Sequence, residues 1–321
     1  MNTAAEIIGF YKNKKILITG SSGLLGSHLL DFLESSSARI RLLTRKPIAR
    51  PESGVRVLHG DIRESVVVNE AIEDIDIVFH LAALVNVDKS ISDPFETLTT
   101  NVMGTLQLLE SARKQTKTPH IIFSSSTNIY GIPQKEKVTE DYPIAPSDPY
   151  STSKAAADLI CQTYIKTYNL PITILRPSTL YGPRQQMTQF IPKVISQGLS
   201  SQILELGSLN AYRDFCYVKD VAKAFILAGA TPEAASQVFN ISTGVSISLI
   251  DIVEKISKLL GKKLEIKTKN HHRPYEITLP FVIDSSKARR VLKWKPHYDI
   301  DSGLKDTIEW FKNKISQEVV S

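Results

Sequence analysis

A tyrosine and a lysine four residues apart, Tyr150 and Lys154, are the residues of this sequence best suited to proton transfer. They open an amphipathic stretch, so the i to i+4 spacing places both side chains on one face of a helix. A phenol with a pKa of about 10 is a poor base at neutral pH, but a neighbouring ammonium group favours the phenolate. The pair therefore predicts a general base, Tyr150, whose pKa Lys154 lowers. The alternative is that Tyr150 and Lys154 are two exposed residues on a helix without a catalytic role.

A run of serines comes earlier, at the end of an apolar stretch that has the composition of a strand. The last of them, Ser126, would follow the carboxyl end of that strand and could bind the same substrate oxygen as Tyr150. The run could equally be an ordinary turn. Together with the tyrosine and lysine, it predicts a catalytic trio of Ser126, Tyr150 and Lys154.

A glycine-rich turn near the amino terminus indicates a phosphate site. An apolar run over 15–19 leads into Gly20-Ser-Ser-Gly23-Leu-Leu-Gly26, and a helical pattern begins directly afterwards. Turns without Cβ atoms let backbone N–H groups approach a pyrophosphate, and the helix presents its positive end to the same anion. The context predicts a dinucleotide site; a close strand-to-helix turn is the alternative. Its residues would be Gly20, Ser22, Gly23, Leu24, Leu25 and Gly26.

The end of the second predicted strand bears on which nicotinamide cofactor binds. An acid there would bind a ribose 2′-hydroxyl, whereas an arginine pairs with a 2′-phosphate. The sequence has Arg45 and Lys46 and no carboxylate at this point, which favours NADP over NAD. Asp61, followed by Ile62 after the third strand, is placed to accept a hydrogen bond from the adenine amino group. Solvated loop charges and a turn-stabilising aspartate are the alternatives.

The elements that must position these residues alternate between short β-branched runs and helical stretches. This order predicts an α/β fold, a doubly wound parallel Rossmann sheet with helices on both faces. The predicted strands cover 15–19, 40–44, 55–59, 77–81, 120–125 and 172–175. The predicted helices include 24–34, 100–114 and 150–168.

After Arg176, prolines and glycines punctuate shorter elements, which predicts a smaller α/β substrate-binding domain. We expect a dinucleotide-binding domain over 1–176 and a mainly substrate-binding domain over 177–321. Two later apolar runs, 215–218 and 238–241, have the composition of strands that could return to the larger domain. The boundary is therefore expected to be discontinuous, with returning segments near 214–242.

Composition excludes several classes of protein. The chain has 321 residues, 42% of them hydrophobic, which suits one large core or two smaller ones. The net charge of +6 comes from 39 basic residues that are dispersed along the chain, so an anionic small ligand accounts for it without nucleic acid. With two cysteines and no Cys/His spacing typical of zinc sites, we expect neither disulfides nor a bound metal. No secretion signal or membrane span is predicted, so the expected location is cytoplasmic.

These motifs, in this order, resemble the extended short-chain dehydrogenase/reductase family in its NAD-dependent epimerase/dehydratase branch. The resemblance covers nearly the whole sequence. It implies cofactor contacts from His80-Leu-Ala-Ala83, that is from Leu81, Ala82 and Ala83, and also from Asn101 and Pro177. It implies substrate contacts from Arg184, Arg213 and Arg273, of which Arg213 belongs to a segment whose arginine grips the substrate diphosphate. Around Arg273 the sequence departs from the family's usual Arg-Pro-Gly-Asp/Glu.

The resemblance implies a sugar-nucleotide epimerase of the UDP-glucose 4-epimerase type, in which hydride moves to a bound nicotinamide and back. An NADPH-dependent 4-ketoreductase is the alternative that Arg45 keeps open, and a non-catalytic NADP-sensing protein is a remote one. Dehydratases of this branch carry Thr-Asp-Glu where this chain has Ser126-Thr127-Asn128, which argues against 4,6-dehydration. By resemblance, the helices over 100–114 and 150–168 would pair in a homodimer.

Overall fold

A computed structural model describes residues 4–45, 54–135, 137–268 and 276–320. Lys46 and Arg273, which the sequence assigns to the cofactor and the substrate, lie outside the described residues. Within the described ranges, no helix is both long enough and apolar enough to cross a membrane.

The described strands form one large sheet and three small ones. They are β1 Lys15–Thr19, β2 Arg39–Thr44, β3 Val55–His59, β4 Ile77–His80, β5 His120–Ser124, β6 Lys137–Val138, β7 Ile172–Pro177, β8 Thr179–Tyr181, β9 Ile203–Leu206, β10 Tyr212–Tyr217, β11 Val238–Ile241, β12 Ser246–Ser248, β13 Glu265–Thr268 and β14 Val282–Ile283. Seven strands pair in parallel in the order β11-β7-β5-β4-β1-β2-β3. The crossover between β1 and β4 brings the carboxyl ends of these strands together at a switch point, where such sheets bind ligands.

Helices cover both faces of the large sheet. In the described residues they are α1 Ala4–Tyr11, α2 Leu24–Glu34, α3 Ser65–Ile72, α4 Val87–Ser92, α5 Pro94–Leu98, α6 Gly104–Arg113, α7 Pro149–Tyr168, α8 Phe190–Ser200, α9 Val218–Ala230, α10 Leu249–Leu260, α11 Ser286–Val291 and α12 Ile300–Val320. One buried cluster joins α1, α2 and α9 to the sheet, and a second joins α3, α6 and α7 to the opposite face. Burial on both faces explains why the central strands are apolar runs and do not alternate with polar residues.

The predicted α/β fold is confirmed, and the six strands predicted for the first half are all present. Their ends differ from the predicted ends by no more than two residues, the largest difference being β7, which continues to Pro177. The segment predicted as one helix over 100–114 does not begin as an α-helix. A π-helical turn, Thr99–Met103, precedes α6.

The two later strands lie in different places. β11 joins the edge of the large sheet beside β7, as expected. The run 215–218 forms the end of β10 and the start of the next helix. β10 pairs with β8 and β12 in a separate three-stranded sheet, whereas Cys216 and Val218 are buried in the larger core. The return to the larger core is made by the next element, α9, which packs with α2. Further on, Ala288 and Trp294 are also buried in that core.

A separate buried cluster forms the second region of the chain. It brings together α8, α10 and α12 with β9 and β10. A smaller cluster around Tyr130, Ala155 and Phe281 lies where the ends of the large sheet meet later parts of the chain. The residues predicted to do chemistry lie close to this junction.

Candidate active site

The amino-terminal turn of α7 is fixed from several sides. Asp148 caps the helix by accepting a hydrogen bond from the Ser151 amide, and the Ser151 hydroxyl completes a capping box. Pro149 stands at the first helical position, where its missing N–H costs nothing. The Tyr150 amide donates 3.1 Å to the hydroxyl of Ser90 on α4. The start of the helix, and with it the tyrosine, is therefore held in one position.

The phenol of Tyr150 is buried and interacts with the side chain of Ser126. Burial raises the pKa of Tyr150 to about 12, although the bond with Ser126 pulls it down. In the protein alone, desolvation therefore outweighs the other effects on this pKa. That Lys154 and the oxidised nicotinamide together bring the pKa toward the working range stays a prediction. The Ser126 hydroxyl also accepts 3.1 Å from the amide of Asn128, which fixes its position at the end of β5.

Lys154 lies one helical turn further along α7 and is 4% exposed. Its ammonium donates 2.7 Å to the carbonyl oxygen of Ser124 and lies 5.4 Å from the ring centroid of Phe123. Burial lowers the pKa of Lys154 to about 8, so the ammonium form predominates at pH 7. Tyr150 and Lys154, one helical turn apart on α7, thus both face the end of β5, Tyr150 at Ser126 and Lys154 at Ser124.

The glycine turn has the geometry that a pyrophosphate needs. Gly20 has a φ of +76°, and a Cβ atom there would lie 2.7 Å from the amide nitrogen of Ala82. A Cβ atom on Gly26 would lie 2.3 Å from the carbonyl oxygen of Gly20. Gly23 caps α2 without a side-chain hydrogen bond, so the first amides of this helix are left for an anion. Ser22 and Gly23 are exposed at the turn, whereas Leu24 and Leu25 form the first turn of α2.

A chain of hydrogen bonds joins the end of β1 to the turn that follows β4. The Thr19 hydroxyl accepts from the amides of Leu81 and Ala82 at 3.2 Å each, so its proton is directed to His80 Nδ1 at 2.8 Å. His80 Nε2 lies 3.0 Å from the Thr105 hydroxyl, which itself donates to a carbonyl oxygen. His80 is therefore neutral with its proton on Nε2, and burial lowers its pKa to about 3.

Asn101 links this region to the catalytic helix. Its side-chain oxygen accepts 2.8 Å from the Leu84 amide, just beyond Ala83, and its amide donates to the Leu84 carbonyl and to the Ser153 hydroxyl. Asn101 lies in the π-helical turn that the sequence did not predict. Such turns often occur at functional sites, and this one carries the side chain that contacts both the segment after β4 and helix α7.

Four charged residues meet beside the end of β2. Asp61 accepts hydrogen bonds from Nε and Nη2 of Arg63, and Arg63 Nη1 donates 2.9 Å to Glu96. Arg45 lies 3.6 Å from Asp61 and 3.9 Å from Glu96, too far for hydrogen bonds, and is half exposed. The bond from Arg63 lowers the pKa of Asp61. The Asp61 carboxylate, predicted to accept a hydrogen bond from adenine, thus already accepts hydrogen bonds from Arg63. The neighbouring Ile62 packs against Gly104.

A small cavity lies between the end of β5 and the second region. Its lining includes Asn128, Ser178, Arg213, Asp214 and Phe281. The carboxylate of Asp214 accepts from the hydroxyls of Ser178 and Thr243 and from two backbone amides, so it is fully engaged in holding the structure. Arg213 is the lining residue with a permanent positive charge. The structure thus brings Arg213 to the same cavity as the residues that follow Ser126.

Arg184 and Pro177 occupy other positions. Arg184 forms an ion pair with Asp31 and donates to the Ser27 carbonyl, both on α2, and is not among the residues that line this cavity. Pro177 ends β7 opposite Ile241 of β11, at the carboxyl edge of the large sheet.

Several residues of the site were not predicted. Arg63 and Glu96 flank Asp61, and a buried ion pair of Asp158 with Arg176 lies beside Ser125. A signal existed for the second pair. Arg176 is a charge within an apolar strand, and Asp158 is an acid one turn after Lys154. Charges inside buried elements are rarely unpaired.

The switch-point sheet, the glycine turn and the Ser126/Tyr150/Lys154 trio together define a nicotinamide-dependent enzyme of the extended short-chain dehydrogenase type. The chain belongs to the NAD-dependent epimerase/dehydratase family, whose sequence model matches residues 16–242.

Known relatives match nearly the whole chain. A UDP-glucose 4-epimerase from Mycolicibacterium smegmatis is 30% identical, with 94% of this chain and 99% of the relative covered. A dTDP-glucose 4,6-dehydratase from the same organism is 29% identical, with 93% of each covered. Among solved structures, MoeE5 in complex with UDP-glucose and NAD superimposes with a TM-score of 0.87 at 29% identity, covering 94% of this chain and 99% of that one. Family members of this kind act on sugar nucleotides with a bound nicotinamide cofactor.

Proposed function

We propose that this enzyme is a sugar-nucleotide 4-epimerase. The observation that carries the proposal is the assembly of Ser126, Tyr150 and Lys154 where the end of β5 meets α7. Among the described residues that line the cavity, the one acid is Asp214, and its hydrogen bonds are already taken. Elimination of water needs an acid and a base near C5 and C6 of the sugar, and Thr127 and Asn128 supply neither. The site therefore supports oxidation and reduction at C4 better than dehydration.

In the proposed reaction, Tyr150 takes the proton of the sugar 4-hydroxyl while Ser126 hydrogen-bonds to the same oxygen. A bound nicotinamide would supply the acceptor and later the donor of the C4 hydride, and its positive charge would lower the pKa of Tyr150. Lys154 supplies a second positive charge, which further favours the phenolate. Tyr150 gives its proton back to the 4-oxygen at the end, so the enzyme is unchanged. Arg213 holds the substrate diphosphate while the sugar turns.

The turn after β1 and α2 would hold the cofactor pyrophosphate, and we propose that the cofactor is NADP. Arg45 supports this choice, because it follows the last residue of β2, is half exposed and makes no hydrogen bond to either neighbouring acid. Arg63 already donates hydrogen bonds to both Asp61 and Glu96. The guanidinium of Arg45 can therefore turn to a ribose 2′-phosphate without leaving a buried carboxylate unpaired.

Substitution Arg45→Asp is expected to reverse the cofactor preference. A carboxylate at this position repels a 2′-phosphate and accepts hydrogen bonds from a ribose 2′-hydroxyl. We expect the Kd for NADPH divided by the Kd for NADH to rise by about 100-fold. The variant loses one charge-assisted pair with the 2′-phosphate and gains a repulsion. Fluorescence titration of reduced cofactor measures both constants. Arg56→Asp, an exposed arginine of β3 paired with Glu70, is the matched control and should leave the ratio unchanged. An unchanged ratio in Arg45→Asp would refute the NADP proposal.

A 4-ketoreductase is the second candidate, and the same Arg45 favours it, because reductive steps draw on NADPH. The experiment that separates the two incubates the purified enzyme with UDP- and dTDP-hexoses, and separately with 4-keto sugars and NADPH. Interconversion of 4-epimers without net NADPH oxidation supports the epimerase. Stoichiometric NADPH oxidation that needs a 4-keto sugar, without epimerisation, would refute it in favour of the reductase.

We also propose that the enzyme is a cytoplasmic homodimer. Met103 and Leu159 support the dimer, since each is about half exposed on the segments expected to pair, the π-helical turn before α6 and helix α7. Apolar side chains exposed at this level on paired helices are suited to a subunit interface.

A further inference from the structure

Three consecutive serines at the end of β5 each contact a different residue on one face of α7. The contacts join the Ser124 carbonyl to Lys154 Nζ at 2.7 Å, the Ser125 hydroxyl to Asp158 Oδ2 at 2.6 Å, and Ser126 to the phenol of Tyr150. The helix residues stand at i, i+4 and i+8 and so share a face. Two of these contacts belong to the catalytic trio. The third, made by Asp158, has no role in the proposed reaction.

Asp158 is held in turn by a buried arginine. It is fully buried, and Arg176 is 2% exposed. Nε and Nη2 of Arg176 each donate 2.9 Å to the Asp158 carboxylate in a two-pronged pair. The remaining arm of Arg176 donates 2.9 Å to the Tyr130 hydroxyl, which donates 2.7 Å to Asn240 of β11. Every polar group of this cluster therefore has a partner, and the planar fork fixes the carboxylate in direction as well as distance.

A buried ion pair of this kind is a poor explanation of stability. The cost of removing both charges from water roughly cancels their attraction, and apolar residues of similar volume often serve as well or better. The cluster does, however, join three elements of the site. Arg176 lies on β7, the Ser125 amide donates 2.8 Å to the Leu175 carbonyl of that strand, and Asp158 lies one turn from Lys154.

We propose that Asp158 and Arg176 are positioning residues for the reaction, acting through Ser125 to hold Ser126 and Lys154 in register with Tyr150. The inference rests on the proposed function only for its kinetic readout. Neither residue lines the cavity that Arg213 lines, and both are too buried to touch a substrate. Their effect is exerted on the end of β5. If Ser125 loses its anchor on α7, the next residue can shift relative to the phenol.

The first test is Ser125→Ala, which removes the hydroxyl and leaves the ion pair intact. We expect kcat to fall by about 10-fold with KM changed less than about 2-fold, because a small displacement of reacting groups slows chemistry more than binding. Thr173→Val is the matched control. Its hydroxyl is equally buried, donates 2.8 Å to the Ala234 carbonyl, and lies on β7 nearer its other end. It should lower the melting temperature similarly and leave kcat unchanged.

The second test replaces the ion pair as a unit, so that no buried charge is left alone. Asp158→Val with Arg176→Met removes the anchor of Ser125, whereas Asp158→Asn with Arg176→Met restores an acceptor without a charge. We expect the valine variant to lose kcat by about 10-fold or more and the asparagine variant to recover most of it. Crystal structures of the same variants measure the distance from Ser126 Oγ to Tyr150 Oη, which should lengthen only in the valine variant and in Ser125→Ala.

The outcomes separate this inference from the proposed function. Wild-type kcat in both Ser125→Ala and the valine variant overturns the positioning role, and so does an unchanged distance between Ser126 and Tyr150. If the valine variant does not fold, Ser125→Ala and its structure decide. A wild-type enzyme that turns over no sugar nucleotide refutes the proposed function, and the measured distances then decide the positioning role by themselves.

Discussion

Tyr150→Phe is expected to reduce kcat by about 1,000-fold while the cofactor stays bound, because general acid–base catalysis contributes about 10²–10⁴-fold. The substitution removes one oxygen atom from a buried ring whose backbone is held by Ser90 and whose helix is capped by Asp148. We therefore expect the fold of the variant to be unchanged. The Ser126 hydroxyl loses one partner but keeps the Asn128 amide at 3.1 Å.

Tyr164→Phe provides the matched control on the same helix. The Tyr164 hydroxyl donates 2.7 Å to Glu110, so this variant also loses one hydrogen bond of a tyrosine on α7. It lies far along the helix from the trio and should keep wild-type kcat. Progress curves for sugar-nucleotide conversion give kcat, and cofactor that co-purifies with each variant is quantified by absorbance. Turnover by Tyr150→Phe within about 10-fold of wild type would remove Tyr150 from the role of base.

The residues that sequence alone located are those whose function depends on neighbours along the chain. The glycine turn, the helix that follows it, and Tyr150 with Lys154 are set by short-range spacing, and the structure assembles them as predicted. The parallel sheet followed from the alternation of strands and helices, since burial on both faces leaves a readable apolar pattern.

Long-range pairing was not readable in the same way. Asp158 and Arg176 are 18 positions apart and meet because β5, β7 and α7 converge. Arg184 illustrates the reverse case, because its motif suggested the substrate while the fold pairs it with Asp31 on α2. The pKa of Tyr150 also depended on burial, which outweighs the effect that spacing alone suggested.

Gly26→Ala is expected to weaken cofactor binding by about 100-fold, because the added methyl group has no room. A Cβ atom at this position would lie 2.3 Å from the Gly20 carbonyl oxygen and 2.7 Å from Ser21 Cα, and both are backbone atoms that cannot rotate away. Helix α2 must then move from the turn, and the amides that face a pyrophosphate lose their alignment with the positive end of the helix. A loss of about 2.7 kcal/mol in binding corresponds to this fold-change.

Gly9→Ala separates this steric effect from the general effect of alanine in a helix. Gly9 lies inside α1, and a Cβ atom there would meet no atom within 4 Å. Alanine is the better helix former by about 0.5–1 kcal/mol, so this variant should be slightly more stable and bind cofactor as the wild type does. Calorimetric titration with NADPH measures Kd, and circular dichroism establishes that each variant is folded. Wild-type affinity in a folded Gly26→Ala variant would mean that the close contact between α2 and the glycine turn does not contribute to cofactor binding. That result would show that the pyrophosphate does not bind at the turn after β1. It would also contradict the assignment of hydride transfer to the switch-point edge of the sheet.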